Sequence, residues 1–362
     1  LLGTSLTLHP GFSQLASVGG VHLLTALVLI WAVLPALTVS AENRRAAIAS
    51  FILLPLLVVG FGLLRLNSLD SEASRTVKGV NLRLVQANIA QSLKWDPALS
   101  RANLQKHVDL SVQSVTDGAE TPNVIIWPET AVPFPLNRSV ETQQALAAAV
   151  LGASTDSILI TGANKVVGES QNLQVWNHLY VLDQSGALIA GYDKHHLVPF
   201  GEYMPYRSIL NFAKLTQGSV DFTAGPGPQT VRVPNIPAFS PIICYEGIFT
   251  ANVVDRADRN AKWLLSVTND GWFGLSSGPH QHLAATMLRS VEEGLPLVRA
   301  SNPGISVVVD SLGRIRSKLP LGSVGVLDAE LPIALENLPL YARFGLRMVL
   351  ILMLLLMAGV II

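Results

Sequence analysis

The sequence has one cysteine, few charged residues and no excess charge of either sign, and each of these shortages excludes a class of protein. Because Cys244 is the only cysteine among the 362 residues, the chain has no intrachain disulfide framework and no multi-cysteine zinc or iron–sulfur site. Charged residues make up 14% of the chain and hydrophobic residues 49%, which excludes a disordered chain and argues against a purely soluble protein. With 25 basic and 25 acidic residues, there is no net field to attract nucleic acid.

The apolar residues are concentrated at the two ends of the chain. No Asp, Glu, Lys or Arg occurs from Leu1 to Ala41, and the centre of this run is Val21 to Val39. A second uncharged run extends from Ala46 to Leu64, and a third, from Phe344 to Ile362, carries Arg347 in its first turn. Since a helix needs about 20 apolar residues to cross a bilayer core, we expect three membrane spans, with the arginine reaching toward the interface.

The charges between the first two runs predict an orientation. Arg44 and Arg45 lie in that short loop, and the positive-inside rule assigns such a loop to the cytoplasm. The long segment after the second span is then extracytoplasmic. The chain begins with Leu rather than Met, so we interpret it as a fragment whose N-terminus is missing. The expected divisions are membrane helices at residues 1–65, an extracytoplasmic domain at 66–343 and a C-terminal membrane helix at 344–362.

Between the membrane segments, strand and helix patterns are interleaved, which predicts an α/β fold with a mixed sheet or sheets. The predicted strands are Val80–Gln86, Asn123–Trp127, Ile158–Thr161, Val175–Leu182, Leu188–Tyr192, Ile242–Cys244, Trp263–Val267, Ile305–Val309 and Val324–Asp328. The predicted helices are Ala98–Val115, Glu141–Leu151, Ile248–Asp258 and His280–Glu293. Asp183 to Gly186 and Asp310 to Gly313 have the composition of hairpin turns.

Cys244 follows an apolar strand and begins the segment Cys244-Tyr245-Glu246-Gly247 in front of a predicted helix. A strand-to-helix turn exposes a side chain and directs helix N–H groups at it, which lowers the pKa of a thiol and supplies oxyanion donors. A free cysteine nevertheless usually only packs in a core. The predicted outer location favours a functional thiol, because an unpaired cysteine is a hazard in an oxidising compartment.

Two further polar residues follow predicted strands. Glu129 comes directly after an apolar run and a proline, in a position that suits a general base. Lys194 follows the predicted strand Leu188–Tyr192. Each has a purely structural alternative, as a turn or cap acid and as a surface lysine. Taken together with Cys244, they supply a base, an ammonium that can hold an oxyanion, and a nucleophile.

Histidine pairs raise the question of a metal site. His280 and His282 alternate, and His195 and His196 are adjacent, but no cysteine or acid lies at ligand spacing beside them. We therefore expect no metal ion and no other cofactor.

Three motifs carry a resemblance to a known superfamily. They are Trp127-Pro128-Glu129, Tyr192-Asp193-Lys194 followed by His196 to Glu202, and Cys244-Tyr245-Glu246. Together they resemble the Glu–Lys–Cys signature of the nitrilase superfamily. The membrane runs and four more segments narrow the resemblance to the apolipoprotein N-acyltransferase family. These segments are Val85–Ile89, Gln91–Trp95, Thr268–Gly274 and Arg299–Gly304.

The resemblance implies a nitrilase-like αββα sandwich domain, flanked by transmembrane helices and located outside the inner membrane of a bacterium. It implies that Glu129 is the base, Lys194 the oxyanion stabiliser and Cys244 the nucleophile. The family has more spans before its catalytic domain than the two seen here. The resemblance also implies Glu202, Tyr245 and Glu246 as supporting active-site residues and Trp95 as a substrate-contacting residue.

The implied reaction moves a fatty acyl chain from a phospholipid, through a cysteine thioester, to the free α-amine of a lipid-modified N-terminal cysteine on an apolipoprotein. The transfer is ping-pong and needs no nucleotide. Both substrates reside in the bilayer, so the expected partners are a phospholipid donor, a diacylated apolipoprotein and membrane lipids. The aromatic-rich stretch Pro199 to Pro228 would serve as an apolar lid, or else as an ordinary loop packed on the core.

Two other interpretations stay open. A membrane-tethered amidase of the same superfamily, hydrolysing a C–N bond, would use the same three residues and let water attack the thioester. Soluble members of the superfamily usually place an arginine soon after the cysteine. No arginine occurs in the segment from Cys244 to Phe249, which favours acyl transfer. A non-catalytic membrane module would instead keep the three polar residues apart.

Overall fold

The computed structural model describes residues 2–115, 120–152, 156–169, 172–205 and 220–361 and contains two six-stranded sheets. Much of the candidate lid, residues 206–219, lies outside the described ranges. The strands of the first sheet are β1 (Thr76–Gln86), β2 (Val124–Ile126), β3 (Ile158–Val167), β4 (Gln174–Leu182), β5 (Leu188–Asp193) and β12 (Gly325–Pro332). Those of the second are β6 (Val231–Val233), β7 (Ile236–Ile243), β8 (Trp263–Thr268), β9 (Leu297–Ser301), β10 (Ser306–Val309) and β11 (Ile315–Leu319).

Both sheets are mixed, and their parallel strands lie at the centre. The first has the order β12-β1-β2-β3-β4-β5, in which β1, β2 and β3 are parallel and the other pairs antiparallel. The second has the order β11-β10-β9-β8-β7-β6, in which β7, β8 and β9 are parallel. The predicted α/β class with mixed sheets is confirmed.

Helices cover the outer faces of the two sheets. The helices are α1 (Pro10–Ser13), α2 (Ala16–Val33), α3 (Arg44–Ser68), α4 (Asp70–Ala73), α5 (Gln91–Lys94), α6 (Ser100–Ser111), α7 (Val140–Leu151), α8 (Gly278–Glu293), α9 (Leu340–Phe344) and α10 (Leu346–Ile361). Helices α6 and α7 pack on the first sheet, and α8 packs on the second. The layers therefore run helix, sheet, sheet, helix.

The two sheets bury alternate side chains against each other, as the two-residue period of a strand requires. Leu82 and Leu84 of β1 point into this interface together with Trp263 and Leu265 of β8. Val85, one position on, faces α6 and α7 instead. A fully buried leucine contributes about 1.5–3 kcal/mol relative to an exposed one, so the inter-sheet layer is a large part of the stability.

The two predicted hairpin turns are confirmed, and in each an aspartate organises the turn. The Asp183 carboxylate accepts the backbone N–H groups of Ser185 at 2.8 Å and Ala187 at 3.0 Å, between the antiparallel strands β4 and β5. Asp310 does the same for Leu312 and Arg314, between β10 and β11. Such self-capping is why aspartate is favoured in turns.

The predicted helix Ile248–Asp258 is wrong. The chain forms a short 3-10 helix, Cys244–Ile248, and then an irregular segment in which Ala251 has a φ of +66°. Tertiary contacts outweigh helix propensity here: the ring of Phe249 stacks on His196, and the hydroxyl of Thr250 donates to Glu292. Each predicted strand overlaps an observed one, but β6, β9 and β11 were not predicted.

Two helical segments are long and apolar enough to cross a membrane: Ala16–Val39, formed by α2 and the 3-10 helix Leu34–Val39, and α3. The first is interrupted at Gly19 and Gly20, whose backbone is not helical, so its continuous part begins at Val21. Helix α10 starts at Leu346, after a positive φ at Gly345, and its 16 residues span about 24 Å.

Gly162 of β3 is a point of close backbone approach between a strand and the segment that follows β2. A Cβ atom at this position would lie 2.5 Å from the backbone nitrogen of Thr130 and 2.8 Å from the Cα of Glu129. Backbone atoms cannot move aside as a flexible side chain can. Only glycine fits here without displacing the Glu129 segment.

We therefore expect Gly162→Ala to destabilise the protein by about 1–3 kcal/mol through overpacking. The measurement is denaturant or thermal unfolding of the detergent-solubilised protein. Gly60→Ala in α3 is the matched control, because its added methyl group would meet nothing within 4 Å. Equal unfolding midpoints for Gly162→Ala and the wild type would contradict the prediction.

Candidate active site

Three strand ends bring the predicted functional side chains to one cavity. Glu129 follows β2, Lys194 follows β5 directly, and Cys244 follows β7. All three line a cavity of about 940 Å³. Because β2 and β5 belong to one sheet and β7 to the other, the cavity is bordered by the ends of strands from both sheets.

Glu129 is held by donors from three other segments. Its Oε1 accepts the side-chain amide of Asn177 at 2.7 Å, and its Oε2 accepts the backbone N–H of Asn269 at 2.8 Å. The ammonium of Lys94 donates to its backbone carbonyl at 2.9 Å. The residue is 6% exposed, so these bonds fix one orientation of a buried carboxylate.

Lys194 is buried between two carboxylates. Its Nζ lies 2.9 Å from Oε1 of Glu202 and 3.6 Å from Oε1 of Glu129. Burial by itself lowers the pKa of a lysine, but here the negative charges of Glu202 and Glu129 outweigh it and raise the pKa of Lys194 above its ordinary value. The lysine is therefore a permanent cation at neutral pH.

Glu202 completes this charge cluster. Its Oε1 also accepts the amide of Asn177 at 2.9 Å, and its Oε2 accepts the backbone N–H of Val198 at 2.8 Å. Asn177 of β4 thus bridges Glu202 and Glu129 and keeps the two carboxylates on either side of the ammonium. The sequence offered no signal for Asn177, an isolated amide within a strand.

Cys244 adopts a backbone conformation that few non-glycine residues adopt. Its φ is +50°, in the left-handed region, and such strain in a folded protein is typical of functional turns. Its Sγ lies 4.0 Å from the backbone oxygen of Asn269, the residue whose N–H holds Glu129. The turn is the expected elbow, although a 3-10 helix rather than a long α-helix follows it.

The protonation of this thiol differs from the expectation. Burial raises the pKa of Cys244 to about 12, the negative charge of Glu129 acts in the same direction, and the ammonium of Lys194 opposes them. The predicted lowering of this pKa is not found, and the chain from Cys244 forms a five-residue 3-10 helix rather than the predicted α-helix. At neutral pH the sulfur therefore carries its proton.

Glu246 holds the cysteine turn against the lysine segment. It is 1% exposed, and its Oε2 accepts the backbone N–H of Ile243 at 2.7 Å. Its Oε1 accepts the hydroxyl of Tyr192 at 2.8 Å and the backbone N–H of His195 at 2.7 Å. Glu246 does not line the cavity, so its contacts make it a positioning residue that ties β5 to the end of β7.

A buried network holds the carbonyl of Cys244 from the other side. Nε2 of His282 on α8 lies 3.0 Å from that oxygen, and its Nδ1 lies 2.7 Å from Oδ1 of Asp270. Arg299 pairs with Asp270 at 2.9 Å. Although burial opposes it, the positive charge of Arg299 and the hydrogen bond from His282 hold the pKa of Asp270 at about 2. His282, which the sequence presented only as an unconvincing metal ligand, supports the strained turn.

Lys94 and Trp95 approach the site from the segment after β1. Burial lowers the pKa of Lys94 to about 8, and the negative charge of Glu129 partly opposes this. Trp95 lines the cavity, as does Tyr245, whose ring packs edge-on against Phe249 with centroids 4.9 Å apart. Lys94 belongs to a segment that supported the resemblance, but sequence reasoning did not single it out.

The cavity is lined by residues of the apolar helices as well as by these polar groups. The apolar helices contribute Val21 and His22 of α2 and Leu346 of α10. Aromatic side chains cover much of the wall between: Trp95, Phe222, Tyr245, Phe249, Trp272 and Phe273. Among the described residues, no group of three or more His, Cys, Asp or Glu is arranged to hold a metal ion.

The site therefore brings together most of the residues that the sequence predicted. Glu129, Lys194, Cys244, Glu202, Tyr245 and Trp95 all line the one cavity, and Glu246 lies behind it. This arrangement brings a thiol, a fixed carboxylate and a buried ammonium to one cavity, and covalent acyl chemistry requires such a set of groups.

The fold is similar to that of solved structures whose sequences are little more than 20% identical to this chain or less. An amidase from Nesterenkonia sp. is 21% identical, with a TM-score of 0.47, and the match covers 72% of this chain and 94% of that chain. A carbon-nitrogen hydrolase superfamily protein from Xanthomonas campestris is 18% identical, with a TM-score of 0.48, covering 70% and 90%.

Sequence comparison is more specific. The carbon-nitrogen hydrolase family model matches residues 81–337. An apolipoprotein N-acyltransferase of Bradyrhizobium diazoefficiens is 38% identical over 294 residues, which are 79% of this chain and 53% of that protein. Those of Rhodopseudomonas palustris and Rickettsia typhi are 35% and 33% identical, over 95% of this chain and 65% and 68% of theirs.

The chain thus spans about half to two thirds of the length of these relatives. It belongs to the carbon–nitrogen hydrolase family, and its curated relatives in that family are apolipoprotein N-acyltransferases.

Proposed function

We propose that the protein transfers a fatty acyl chain from a phospholipid, through a thioester on Cys244, to the free α-amine of an N-terminal diacylglyceryl-cysteine on an apolipoprotein. The observation that carries this proposal is the cavity, which connects the sulfur of Cys244 with the helices expected to lie in the bilayer. A substrate that stays in the membrane can reach the nucleophile only by such a route. The names of the curated relatives support the same acceptor.

The first step forms the thioester. Because the pKa of Cys244 is about 12, the thiol needs a base, and Glu129 is fixed beside it to take the proton. The thiolate attacks the ester carbonyl carbon, and the ammonium of Lys194 stabilises the negative charge that develops on the carbonyl oxygen. Glu129 then returns the proton to the departing alkoxide, and a lysophospholipid leaves.

In the second step the same groups act on the thioester, and Cys244 is now the leaving group. Glu129 takes a proton from the incoming amine as it attacks the thioester, and Lys194 again holds the oxyanion. Collapse of the intermediate forms the amide and releases the thiolate of Cys244, which recovers its proton. Throughout, Glu202 and Asn177 keep Lys194 and Glu129 in place.

We propose a bacterial inner-membrane location with the catalytic domain on the outer side. Arg44 and Arg45, in the first turn of α3, mark the cytoplasmic ends of the first two spans, and the opposite end of α3 leads into the domain. Exposed apolar side chains on both helices provide a surface for lipid, among them Leu29, Ile30, Leu53, Leu56 and Leu57.

Acylation of Cys244 is directly testable. We expect incubation of the full chain with a phospholipid in detergent to add one acyl chain to the peptide that contains Cys244, as seen by mass spectrometry. Neutral hydroxylamine should remove the adduct, because it cleaves thioesters, and Cys244→Ala should form none. An unmodified wild-type Cys244 would contradict thioester chemistry.

The same preparation separates transfer from hydrolysis. A synthetic peptide with an N-terminal diacylglyceryl-cysteine, added after acylation, should take up the acyl chain as an amide. The amidase alternative predicts release of the free fatty acid at the same rate with and without the peptide.

The role of Glu129 predicts two opposite effects of one substitution. Glu129→Gln should slow acylation by roughly 10²–10⁴-fold, because the general base is lost. It should also lower the pKa of Cys244, since the charge of Glu129 helps to raise it, and a lower pKa means more thiolate. Alkylation of Cys244 by iodoacetamide at mildly alkaline pH should therefore become faster.

The two measurements together distinguish lost chemistry from lost folding. Glu336→Gln, at a carboxylate whose side chain is 70% exposed, is the control and should change neither rate. Acylation by Glu129→Gln at the wild-type rate would remove Glu129 from the mechanism, and slower alkylation would contradict the assigned electrostatics.

A further inference from the structure

Arg289 of α8 is a buried arginine with unused hydrogen-bonding capacity. The residue is 1% exposed, and its Nη2 donates to Oε1 of Glu292 at 2.9 Å. Its Nε and Nη1 have no acceptor among the residues that the structure describes. These two nitrogens carry three of the five N–H bonds of the guanidinium. Buried donors are rarely left without a partner, so the arrangement indicates an acceptor that comes from outside the chain.

The guanidinium belongs to the wall of the cavity that contains Cys244. Arg289, Ala285 and His282 occur on one face of α8 and all line it. His282 reaches the carbonyl of Cys244, so this face leads from the nucleophile to the arginine over seven residues, about 10 Å along the helix.

The position of Arg289 relative to the apolar helices indicates what kind of acceptor this is. The cavity wall also includes Val21 and His22 of α2, and Glu292, the partner of Arg289, accepts the backbone N–H of Val21 at 2.8 Å. In this part of α2, Val21, Leu24 and Leu27 are buried, and exposed side chains begin at Leu29, about two turns beyond His22. With the proposed membrane location, the site lies near the level at which the bilayer would begin, and lipid phosphates lie at that level.

We propose that Arg289 binds the phosphodiester of the acyl donor while the ester of the same lipid lies at Cys244. This assignment rests on the proposed function and adds to it a binding site for the polar part of the donor. Ester and phosphate are attached to one glycerol, so a single molecule can reach both places. Guanidinium N–H groups suit phosphate oxygens, and a charge-assisted bond of this kind is strong in a buried site.

Glu292 sets the charge and the geometry of this site. It is completely buried, and besides Arg289 its carboxylate accepts the backbone N–H of Val21 at 2.8 Å and the hydroxyl of Thr250 at 2.9 Å. It therefore fixes the guanidinium against α2. Arg289 and Glu292 together carry no net charge, so the phosphate would be held by the free N–H groups on Nε and Nη1 rather than by an excess of positive charge.

The test compares two donors that share their acyl esters and differ in the phosphate. Acyl-Cys244 formation is measured against the concentration of phosphatidylethanolamine or of diacylglycerol in mixed micelles. For Arg289→Met we expect the apparent KM for phosphatidylethanolamine to rise about 10- to 100-fold, with kcat and both constants for diacylglycerol unchanged. Arg256→Met is the matched control: Arg256 pairs with Glu293 of the same helix, does not line the cavity, and should alter neither donor.

The outcomes separate this inference from the proposed function. No acylation of the wild type by either donor would overturn the proposed function and this site with it. Wild-type acylation with an unchanged KM in Arg289→Met, or with equal losses for both donors, would overturn only the phosphate site. Inhibition of the wild type by inorganic phosphate with both donors alike would identify a site for free phosphate and equally overturn it. If Arg289→Met does not fold, Arg289→Lys keeps the charge beside Glu292, loses Nε and Nη1, and is judged by the same criterion.

Discussion

A lysine ammonium buried between two carboxylates is the interaction on which the rest of the site depends. Lys194 could not remain charged at 1% exposure without Glu202 and Glu129, and those carboxylates could not remain close together without the cation between them. Glu129 follows β2, whereas Lys194 and Glu202 both follow β5. The cluster therefore fixes the relative positions of segments far apart in sequence, and it does so through charges that the proposed chemistry also needs.

The same cluster determines how the nucleophile can work. A buried thiol beside a carboxylate is held as the neutral acid with a pKa of about 12, so in the proposed reaction its proton moves to Glu129 as the sulfur attacks. A thiolate is oxidised more readily than a thiol, so a protonated sulfur is also protected until it reacts.

Sequence reasoning reached the α/β class, the mixed sheets and the residues at the ends of strands, because strand ends are marked by apolar runs that stop at a polar residue. It missed Asn177 and His282 for a definite reason. Asn177 acts from within β4, where only the antiparallel pairing brings it to Glu129, and His282 acts on a backbone carbonyl, which has no sequence signature. The wrong helix after Cys244 has the same origin, since the contacts of Phe249 and Thr250 with distant residues override the local pattern.

Helix α8 connects the Cys244 turn with the first apolar helix, α2, through one contact near each of its ends. Near its N-terminus His282 supports the strained turn of Cys244, and near its C-terminus Glu292 holds the backbone N–H of Val21, where the break in α2 leaves that group without a helical partner. Both contacts involve backbone atoms, so neither depends on the identity of the residue contacted. A helix of 16 residues is stiff over this length. The position of Cys244 relative to the first apolar helix is therefore set by one rigid element, and the proposed transfer from a membrane-bound donor requires such a fixed distance between the sulfur and the apolar helices.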